Sequence, residues 1–399
     1  MGKTVIPIGP YHPLQEEPEF FQLVVDGEVV VDAFANIGYN HRGIEKISEL
    51  KTFDQVTFVI ERICGICSSS HPIAYVRAVE DIIGKDCEVP ERALYIRTIT
   101  LELERIHSHL LWIGLAGHFL GYNTVYMWAW KEREEILDIM EELTGNRNNY
   151  GMMKVGGVRR DFSESSFPGV IERLNKLIKF MEMIKKAVLD DPVLHARLKG
   201  VGILTRQDCI DYCALGPTSR ASGILKDVRI DEPYAAYDKI DWNVITQEDG
   251  DVFAKAVIRI LETFESINIV MQCLQKMRSG PIDADVKDVP PGEGIGHTEA
   301  PRGETFHYVR SDGTNRPIRH KVRAPTFMNL PTYKAALIGG TISDATITLA
   351  AIDPCYCCTE RVTIIDANNK KKKSVYTQQD LIRLSQKKTQ DIKDRMGIR

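Results

Sequence analysis

The most constraining feature of the chain is a pair of Cys-x-x-Cys motifs that lie near its two ends. Cys64 and Cys67 form the first pair, Cys355 and Cys358 form the second, and 288 positions (355 − 67) separate the two pairs. A zinc ribbon would repeat its pair after roughly 15–20 residues. The two pairs therefore do not close a local loop, and they can meet only if the whole chain folds to bring them together.

Four cysteine sulfurs that converge would form a site for a metal. Soft thiolates suit nickel, iron, zinc or copper(I), and the ligands alone leave open a tetrahedral zinc, an iron–sulfur cluster or a nickel with bridging thiolates. Nearby donors and cations must compensate the charge of four thiolates, and Arg62, His71 and Arg361 flank the two pairs. A redox dithiol at Cys64 and Cys67 is an alternative, but no thioredoxin-like βαβ pattern surrounds that pair.

The amino-acid composition limits the classes of protein to which the chain can belong. The 399 residues are 43% hydrophobic and 27% charged, with a net charge of −4, which is typical of a soluble globular protein. Because nucleic-acid-binding proteins normally present a basic face, no nucleic-acid partner is expected. Five of the nine cysteines lie in the two clusters, which favours metal ligation in a reducing compartment over a disulfide framework.

Hydrophobic periodicity predicts an α+β fold that is mainly helical, with small β elements at the amino end. Alternating residues around Asp26 and Gly27 predict a β-hairpin. Apolar residues at helical spacing predict helices in 92–145 (with a break at 121–123), 170–198, 248–277, 334–351 and 380–396. Pro354 is expected to stop the helix before it and to leave the second cysteine pair at that helix's carboxyl end. The segment 285–321, rich in Pro and Gly, is predicted to be a functional loop or an insertion.

Two sets of segments carry a resemblance to known families. Residues 61–71 (ERICGICSSSH), 299–304 (EAPRGE), 324–329 (APTFMN) and 353–361 (DPCYCCTER) resemble, in the same order, the signatures of nickel–iron hydrogenase large subunits. Residues 9–13 (GPYHP), 41–46 (HRGIEK), 102–110 (ELERIHSHL) and 155–161 (VGGVRRD) resemble the quinone-site subunit of respiratory complex I. Energy-converting, membrane-bound hydrogenases of the Ech and Mbh types share both sets, whereas the complex I subunit has lost the four cysteines. The chain therefore resembles the large, catalytic subunit of such a hydrogenase.

This resemblance implies a nickel–iron hydrogenase large-subunit fold, with a long central helix bundle and small peripheral β elements. It also implies three regions: a β-hairpin region with a proton-relay loop at 1–50, a helical catalytic domain with the metal site at 51–361, and a C-terminal extension with a helix at 362–399. In energy-converting relatives an arginine, here Arg361, replaces the histidine after which many hydrogenases are trimmed. The tail after it either persists in the mature enzyme, which its amphipathic helix favours, or belongs to a precursor.

The resemblance further implies a nickel–iron centre with four thiolate ligands. All four cysteines of the two pairs are expected to hold nickel, and Cys67 and Cys358 to bridge also to an iron that carries CO and cyanide. Cys64 and Cys355 are then terminal thiolates. One of them, assigned to Cys355, is expected to accept a proton when H2 is cleaved heterolytically.

Residues around the centre take roles by the same resemblance. Glu45 is expected to pass the proton outward, and burial beside the metal is expected to raise its pKa. Arg302 is expected to lie over the open coordination site, and Asp353 to orient it. Thr326 is expected to donate a hydrogen bond to a cyanide. The residues predicted to contact the cofactor are Thr326, Pro325, His71 and Arg62.

The predicted function is reversible H2 formation, 2H⁺ + 2e⁻ ⇌ H2, coupled to ion translocation. The sequence has no further cysteine cluster for an electron-relay centre, so electrons are expected to pass through a hydrogenase small subunit that carries an iron–sulfur cluster. By the resemblance, ferredoxin-type iron–sulfur subunits, ferredoxin and integral membrane ion-translocating subunits are further partners. The chain would be peripheral, on the cytoplasmic side of the cell membrane. The alternatives are a complex I-like quinone oxidoreductase subunit, in which the cysteines are relics, and a structural zinc protein.

Overall fold

The structure is a computed structural model that describes residues 2–13, 15–359 and 378–397. Its strands are β1 (Thr4–Ile8), β2 (Phe20–Asp26), β3 (Val29–Asn36), β4 (Met153–Lys154), β5 (Gly157–Val158), β6 (Pro291–Ala300), β7 (Gly303–Asp312) and β8 (Pro317–Arg323). Its helices are α1 (Ile44–Ser48), α2 (Phe53–Ile60), α3 (Ser70–Ile83), α4 (Glu91–Phe119), α5 (Asn123–Thr144), α6 (Phe167–Asp190), α7 (Pro192–Leu198), α8 (Arg206–Asp211), α9 (Pro217–Arg220), α10 (Val228–Asp231), α11 (Val252–Lys276), α12 (Pro325–Asn329), α13 (Tyr333–Leu337), α14 (Ile342–Ala351), α15 (Tyr356–Thr359) and α16 (Gln378–Met396). The predicted class, mainly helical with small sheets, is confirmed.

The long helix α4 runs through the core of the protein. It packs against α5, α11 and α14, and α11 packs in turn against α6. Apolar residues on several sides of α4, among them Ile96, Ile99 and Leu103, are fully buried, which is typical of a helix enclosed by others. The predicted break after it is also confirmed, since Gly121 adopts a φ of +86° between α4 and α5.

The predicted amino-terminal hairpin is confirmed and belongs to a three-stranded antiparallel sheet, β1-β2-β3. Asp26 pairs with Val29 across the turn. The buried face of β2, which includes Phe21, packs against α14 and α15 around Leu349 and Tyr356. The sheet thus lies beside the turn that carries the second cysteine pair.

The prediction of a loop at 285–321 was wrong, because most of it forms the antiparallel sheet β6-β7-β8. Strand β6 packs directly on α3, and its glycines make this close approach possible. A Cβ on Gly294 would lie 2.0 Å from Ala78 O, and one on Gly296 would lie 2.0 Å from Ala74 O. Glycines inside a strand therefore mark close backbone contact here rather than a loop.

Two predicted helices are each divided in the structure. The segment 170–198 breaks at Asp191, whose side chain caps α7 by accepting from Val193 N at 2.7 Å. The segment 334–351 breaks between α13 and α14, where Gly339 has a φ of +86°. Helices α11 and α16 agree with the predicted 248–277 and 380–396.

The helix before Pro354 ends at Ala351, as predicted, but Cys355 lies just before a separate short helix, α15, and Cys358 lies within it. Arg361, the predicted boundary at 362 and the start of the C-terminal extension lie outside the described residues. The division of the chain into three regions stays a prediction. In the part of the chain that the structure describes, none of the helices combines the length and apolarity needed to cross a bilayer.

Candidate metal centre

The four sulfurs of the two cysteine pairs lie together in the protein core. Cys355 Sγ is 3.1 Å from Cys64 Sγ and 3.0 Å from Cys358 Sγ. The sulfurs of Cys64, Cys67 and Cys358 lie within 4.8 Å of one another. All four side chains are buried, and all four are free thiols. Among the described residues, the cysteines of this cluster are grouped closely enough to hold a metal ion, and their sulfur donors suit a soft one.

Each pair is shaped by hydrogen bonds to its own turn. In the first turn the backbone N–H groups of Ile66 and Cys67 donate to Cys64 Sγ at 3.3 and 3.4 Å. In the second turn Cys358 N donates to Cys355 O at 3.2 Å, which turns both sulfurs to one side. Spacing of three residues is therefore enough to aim each pair at a common point.

The first pair is also tied to the central helix. The Glu104 carboxylate, on α4, accepts from the backbone N–H groups of Ser69 and Ser70 at the start of α3, and from the Ser70 hydroxyl. Burial raises the pKa of Glu104 to about 7, against the opposing effect of these hydrogen bonds. Glu104 therefore holds the start of α3 next to Cys67.

The electrostatics of the cluster favour a bound cation. Hydrogen bonds from the sulfurs of Cys355 and then Cys358 hold the pKa of the Cys64 thiol well below its usual range. Burial raises the pKa of Cys358 well above its usual range. Without a metal ion, the cluster therefore stabilises one thiolate, at Cys64, and opposes ionisation of the Cys358 thiol. A divalent cation would ionise the others, because metal ligation requires thiolates.

Arg302 lies against the cluster at the turn between β6 and β7. Its Nη1 is 3.8 Å from Cys67 Sγ and 3.4 Å from Ser108 Oγ. Its Nη2 is 2.9 Å from Asp353 Oδ1, and its Nε donates to Asp353 O at 2.9 Å. Burial lowers the pKa of Arg302, but the negative charges of Asp353 and the cysteines outweigh it and keep the guanidinium charged. The structure thus brings Arg302 and Asp353 to the sulfurs, and their catalytic roles stay predictions.

The turn that carries Arg302 is anchored from α4. Arg105, which is fully buried, donates from Nη1 to Ala300 O at 3.2 Å and from Nη2 to Glu299 O at 2.7 Å. On the opposite side, Asp353 adopts a φ of +57° between α14 and α15. Asp tolerates this left-handed conformation better than most residues, and it lets the chain reverse just before Cys355.

Two predicted cofactor residues lie at the second cysteine turn. Pro325 is the first residue of α12, and the Thr326 hydroxyl next to it accepts from Cys355 N at 3.1 Å. Because the hydroxyl oxygen accepts there, its hydrogen can be donated to a second group. Both residues are buried.

His71 and Arg62 were also predicted to contact the cofactor, but only His71 lies beside a cysteine sulfur. His71 Nε2 lies 3.4 Å from Cys358 Sγ, and burial lowers the pKa of this ring to about 4. The Arg62 side chain is half exposed, pairs with Glu61 and lies over the Tyr150 ring at 4.3 Å. Among the described residues, the side-chain partners of Arg62 are Phe58 O, Glu61 and the Tyr150 ring, and they include no cysteine sulfur.

Glu45 lies farther out than expected. It lines a cavity of about 190 Å³ that Cys358 also lines, so the two face the same space. However, Glu45 Oε2 is 2.7 Å from Lys321 Nζ, and Oε1 accepts from Val322 N at 3.1 Å. The Glu45 side chain is 25% exposed, which differs from the buried carboxyl that the sequence led us to expect.

A carboxylate that the sequence analysis missed contacts the second cysteine turn directly. The backbone N–H of Cys357 donates to Glu17 Oε2 at 2.7 Å. Burial raises the pKa of Glu17, and the negative charge of Cys64 raises it further. The one signal in the sequence is its place just after the GPYHP segment, in a loop without hydrophobic periodicity.

Models of two related protein families match the chain. The model of the "Respiratory-chain NADH dehydrogenase, 49 Kd subunit" matches residues 120–289 and 284–361. The model of "Nickel-dependent hydrogenase" matches residues 42–119, which include the first cysteine pair.

Individual relatives cover nearly the whole chain. The chain is 42% identical to the "Membrane-bound hydrogenase subunit alpha" of Pyrococcus furiosus, over 97% of the chain and 93% of that protein. It is 39% identical to the "Carbon monoxide-induced hydrogenase" of Rhodospirillum rubrum, over 90% of the chain and 100% of that protein. Among solved structures, it is similar to a chain of an archaeal membrane-bound sulfane sulfur reductase, with a TM-score of 0.85, 31% identity and coverage of 90% and 98% of the two chains.

Proposed function

Because the chain belongs to the family that unites large subunits of membrane-bound hydrogenases with the 49 kDa subunit of respiratory NADH dehydrogenase, we propose that it is the catalytic subunit of a nickel–iron hydrogenase. The reaction would be 2H⁺ + 2e⁻ ⇌ H2. The observation that carries the proposal is the buried cluster of four cysteine sulfurs. A nickel–iron centre held there would supply the redox and Lewis-acid chemistry for H2.

Each cysteine would have a defined place in this site. Cys64 and Cys355 would be terminal nickel ligands, and Cys67 and Cys358 would also contact the iron. The contact between Arg302 and Cys67 would put a fixed positive charge beside one shared sulfur. The Thr326 hydroxyl, already hydrogen-bonded to Cys355 N, would donate to a cyanide on the iron.

Proton exchange would use carboxylates on the side of the second cysteine turn. Cys355 would hold a proton on its sulfur and exchange it with Glu17, whose carboxylate accepts from Cys357 N and whose pKa is raised by burial. Glu45, on the cavity that Cys358 also lines, would act farther out, and its pairing with Lys321 makes it the less direct acceptor.

Electron transfer would need partner subunits. A small subunit with an iron–sulfur cluster, ferredoxin-type subunits and ferredoxin would exchange electrons with the centre. Integral membrane subunits would couple the reaction to ion translocation, with this chain on the cytoplasmic side. The membrane-bound relatives named above support this assembly.

Infrared spectroscopy with metal analysis of the purified complex tests the proposal. We expect CO and cyanide bands and one nickel per copy of this chain, with iron in excess of nickel because the partner subunits would carry iron–sulfur clusters. Zinc alone, without these bands, would indicate a structural zinc protein. Quinone reduction that survives Cys64→Ser would indicate a complex I-like subunit in which the cysteines are relics.

A second candidate is reduction of sulfane sulfur, favoured by the likeness to the sulfane sulfur reductase structure. The two candidates differ in the electron acceptor. Reduced ferredoxin should yield H2 from protons if the first is correct. Reduction of polysulfide without H2 formation would favour the second.

A further inference from the structure

Three buried histidines form a hydrogen-bonded chain that begins at the metal centre. His71 Nε2 lies 3.4 Å from Cys358 Sγ, and His71 Nδ1 lies 3.0 Å from His307 Nε2. His307 Nδ1 lies 2.9 Å from His320 Nε2. The three residues come from α3, β7 and β8, and all three are fully buried. We call them the three-histidine chain.

The surroundings of the three-histidine chain favour neutral rings. Among the described residues no carboxylate hydrogen-bonds to the three rings, and all three are fully buried, so a positive charge on a ring would be unpaired in the core. A neutral imidazole has one N–H and one bare nitrogen, so it donates at one end and accepts at the other. Each of the two ring-to-ring contacts therefore contains one hydrogen, and the chain has a direction.

The sulfur at the inner end selects that direction. A Cys358 thiolate bound to metal has no hydrogen, so the short contact is a hydrogen bond only if His71 Nε2 carries the proton. His71 Nδ1 is then bare and accepts from His307 Nε2. His307 Nδ1 is bare in turn and accepts from His320 Nε2. His320 Nδ1 remains the bare terminal nitrogen, and no hydrogen-bond partner is found for it among the described residues.

Ring packing keeps the three planes in place. The His71 and His307 centroids lie 5.4 Å apart at 64°, and the Tyr75 ring contacts His320 at 5.3 Å and 63°. These edge-on contacts oppose ring flips, which would put ring carbons where the two nitrogens now lie.

We propose that His307 and His320 are positioning residues that lock His71 as the N–H donor to the Cys358 thiolate. The inference rests on the proposed function, since it takes Cys358 to be a metal ligand. An N–H donor withdraws electron density from the sulfur, and groups behind the ligands commonly tune a metal centre in this way. His307 and His320 would thus tune the metal from two rings away, without touching it.

Nuclear magnetic resonance of the full chain tests the tautomers directly. The chain, labelled with ¹⁵N-histidine and loaded with Zn²⁺ as a diamagnetic probe, should show Nε2–H tautomers for His71, His307 and His320. An Nδ1–H or doubly protonated form at any of the three would overturn the inference. This measurement needs neither nickel nor activity, and it uses the wild-type chain.

A variant tests the effect on the metal centre. His307→Phe keeps an aromatic ring and removes both nitrogens, so the CO and cyanide bands of the assembled complex should move to lower wavenumber as Cys358 becomes more electron-rich. His307→Gln, which can both donate and accept, should restore the bands toward wild type. His118→Phe is the control, because His118 is exposed, its side chain hydrogen-bonds to Asn123 at 2.8 Å, and a Phe ring can keep its contacts with the Phe119 and Tyr126 rings.

The outcomes separate the two proposals. If the wild-type complex shows no CO or cyanide bands, the proposed function fails, while the Zn²⁺ experiment still decides the tautomers. If the bands are present and His307→Phe leaves them where His118→Phe does, the positioning role of His307 and His320 is overturned.

Discussion

The contact between strand β6 and helix α3 gives a sharp test of how the fold positions the cysteines. A Cβ on Gly296 would lie 2.0 Å from Ala74 O and 2.4 Å from Ala78 N. Real Cβ atoms essentially never lie closer than 3.0 Å to such atoms, so Gly296→Ala must move the strand and the helix about 1 Å apart. Both partners are backbone, which cannot turn aside as a side chain can.

This shift would reach the metal centre from two sides. Helix α3 follows Cys67 and carries His71, whereas β6 leads into the turn that holds Arg302, whose Nη1 is 3.8 Å from Cys67 Sγ. Overpacking costs roughly 1–3 kcal/mol, and a 1 Å misplacement can cost about 100-fold in rate. We therefore expect Gly296→Ala to lower the free energy of unfolding by about 3 kcal/mol and H2 evolution by about 100-fold.

Denaturant unfolding of the chain and H2 evolution by the assembled complex measure the two effects. Gly292→Ala is the matched control, because it lies on the same face of the same strand and its Cβ would meet only Ile82 Cγ2, at 3.1 Å. This flexible side chain can move, so a loss within about 1 kcal/mol is expected. If Gly296→Ala matches Gly292→Ala in stability and in rate, the reasoning is refuted.

Three further predictions concern single side chains at the site. Cys64→Ser removes a soft ligand, and nickel measured by mass spectrometry in the purified complex should fall to background; full retention would contradict ligation. Glu17→Gln can still accept a hydrogen bond but cannot carry a proton, so H2 turnover should fall about 100-fold with nickel content unchanged. A larger loss in Glu45→Gln would favour Glu45 as the proton carrier. For Glu104, burial raises the pKa from 4.5 to about 7, so its contribution to stability is full below about pH 4.5 and is lost as pH rises through about 7, by roughly 3 kcal/mol. Glu104→Gln should flatten the decline of melting temperature between pH 5 and 8, and an unchanged slope would contradict this account.

Local patterns predicted those parts of the fold that local interactions decide. The hairpin around Asp26 and Gly27, the break after α4 and the helix α11 all follow from turn residues and from helical spacing. The sheet β6-β7-β8 could not be predicted in this way. Gly294 and Gly296 suggest a loop when considered alone, and only the helix packed against them explains why they lack side chains.

Around the metal centre, too, some residues could be identified from the sequence and others only from the tertiary structure. Arg302 and His71 lie in the segments that carry the family resemblance, and the structure places both beside the sulfurs. Glu17 went unnoticed because nothing in its own loop indicates that it contacts Cys357, 340 positions away. The pairing of Glu45 with Lys321 was hidden for the same reason.

The amino-acid sequence by itself determined the donor atoms of this protein, because residue type sets the softness of a sulfur and a spacing of three lets one short turn aim two of them together. Tertiary structure alone decided that the two turns meet, and which charges and rings surround them. Those neighbours lie up to hundreds of positions apart in the sequence and come into contact only through packing. Separation along the chain therefore does not indicate their distance in space.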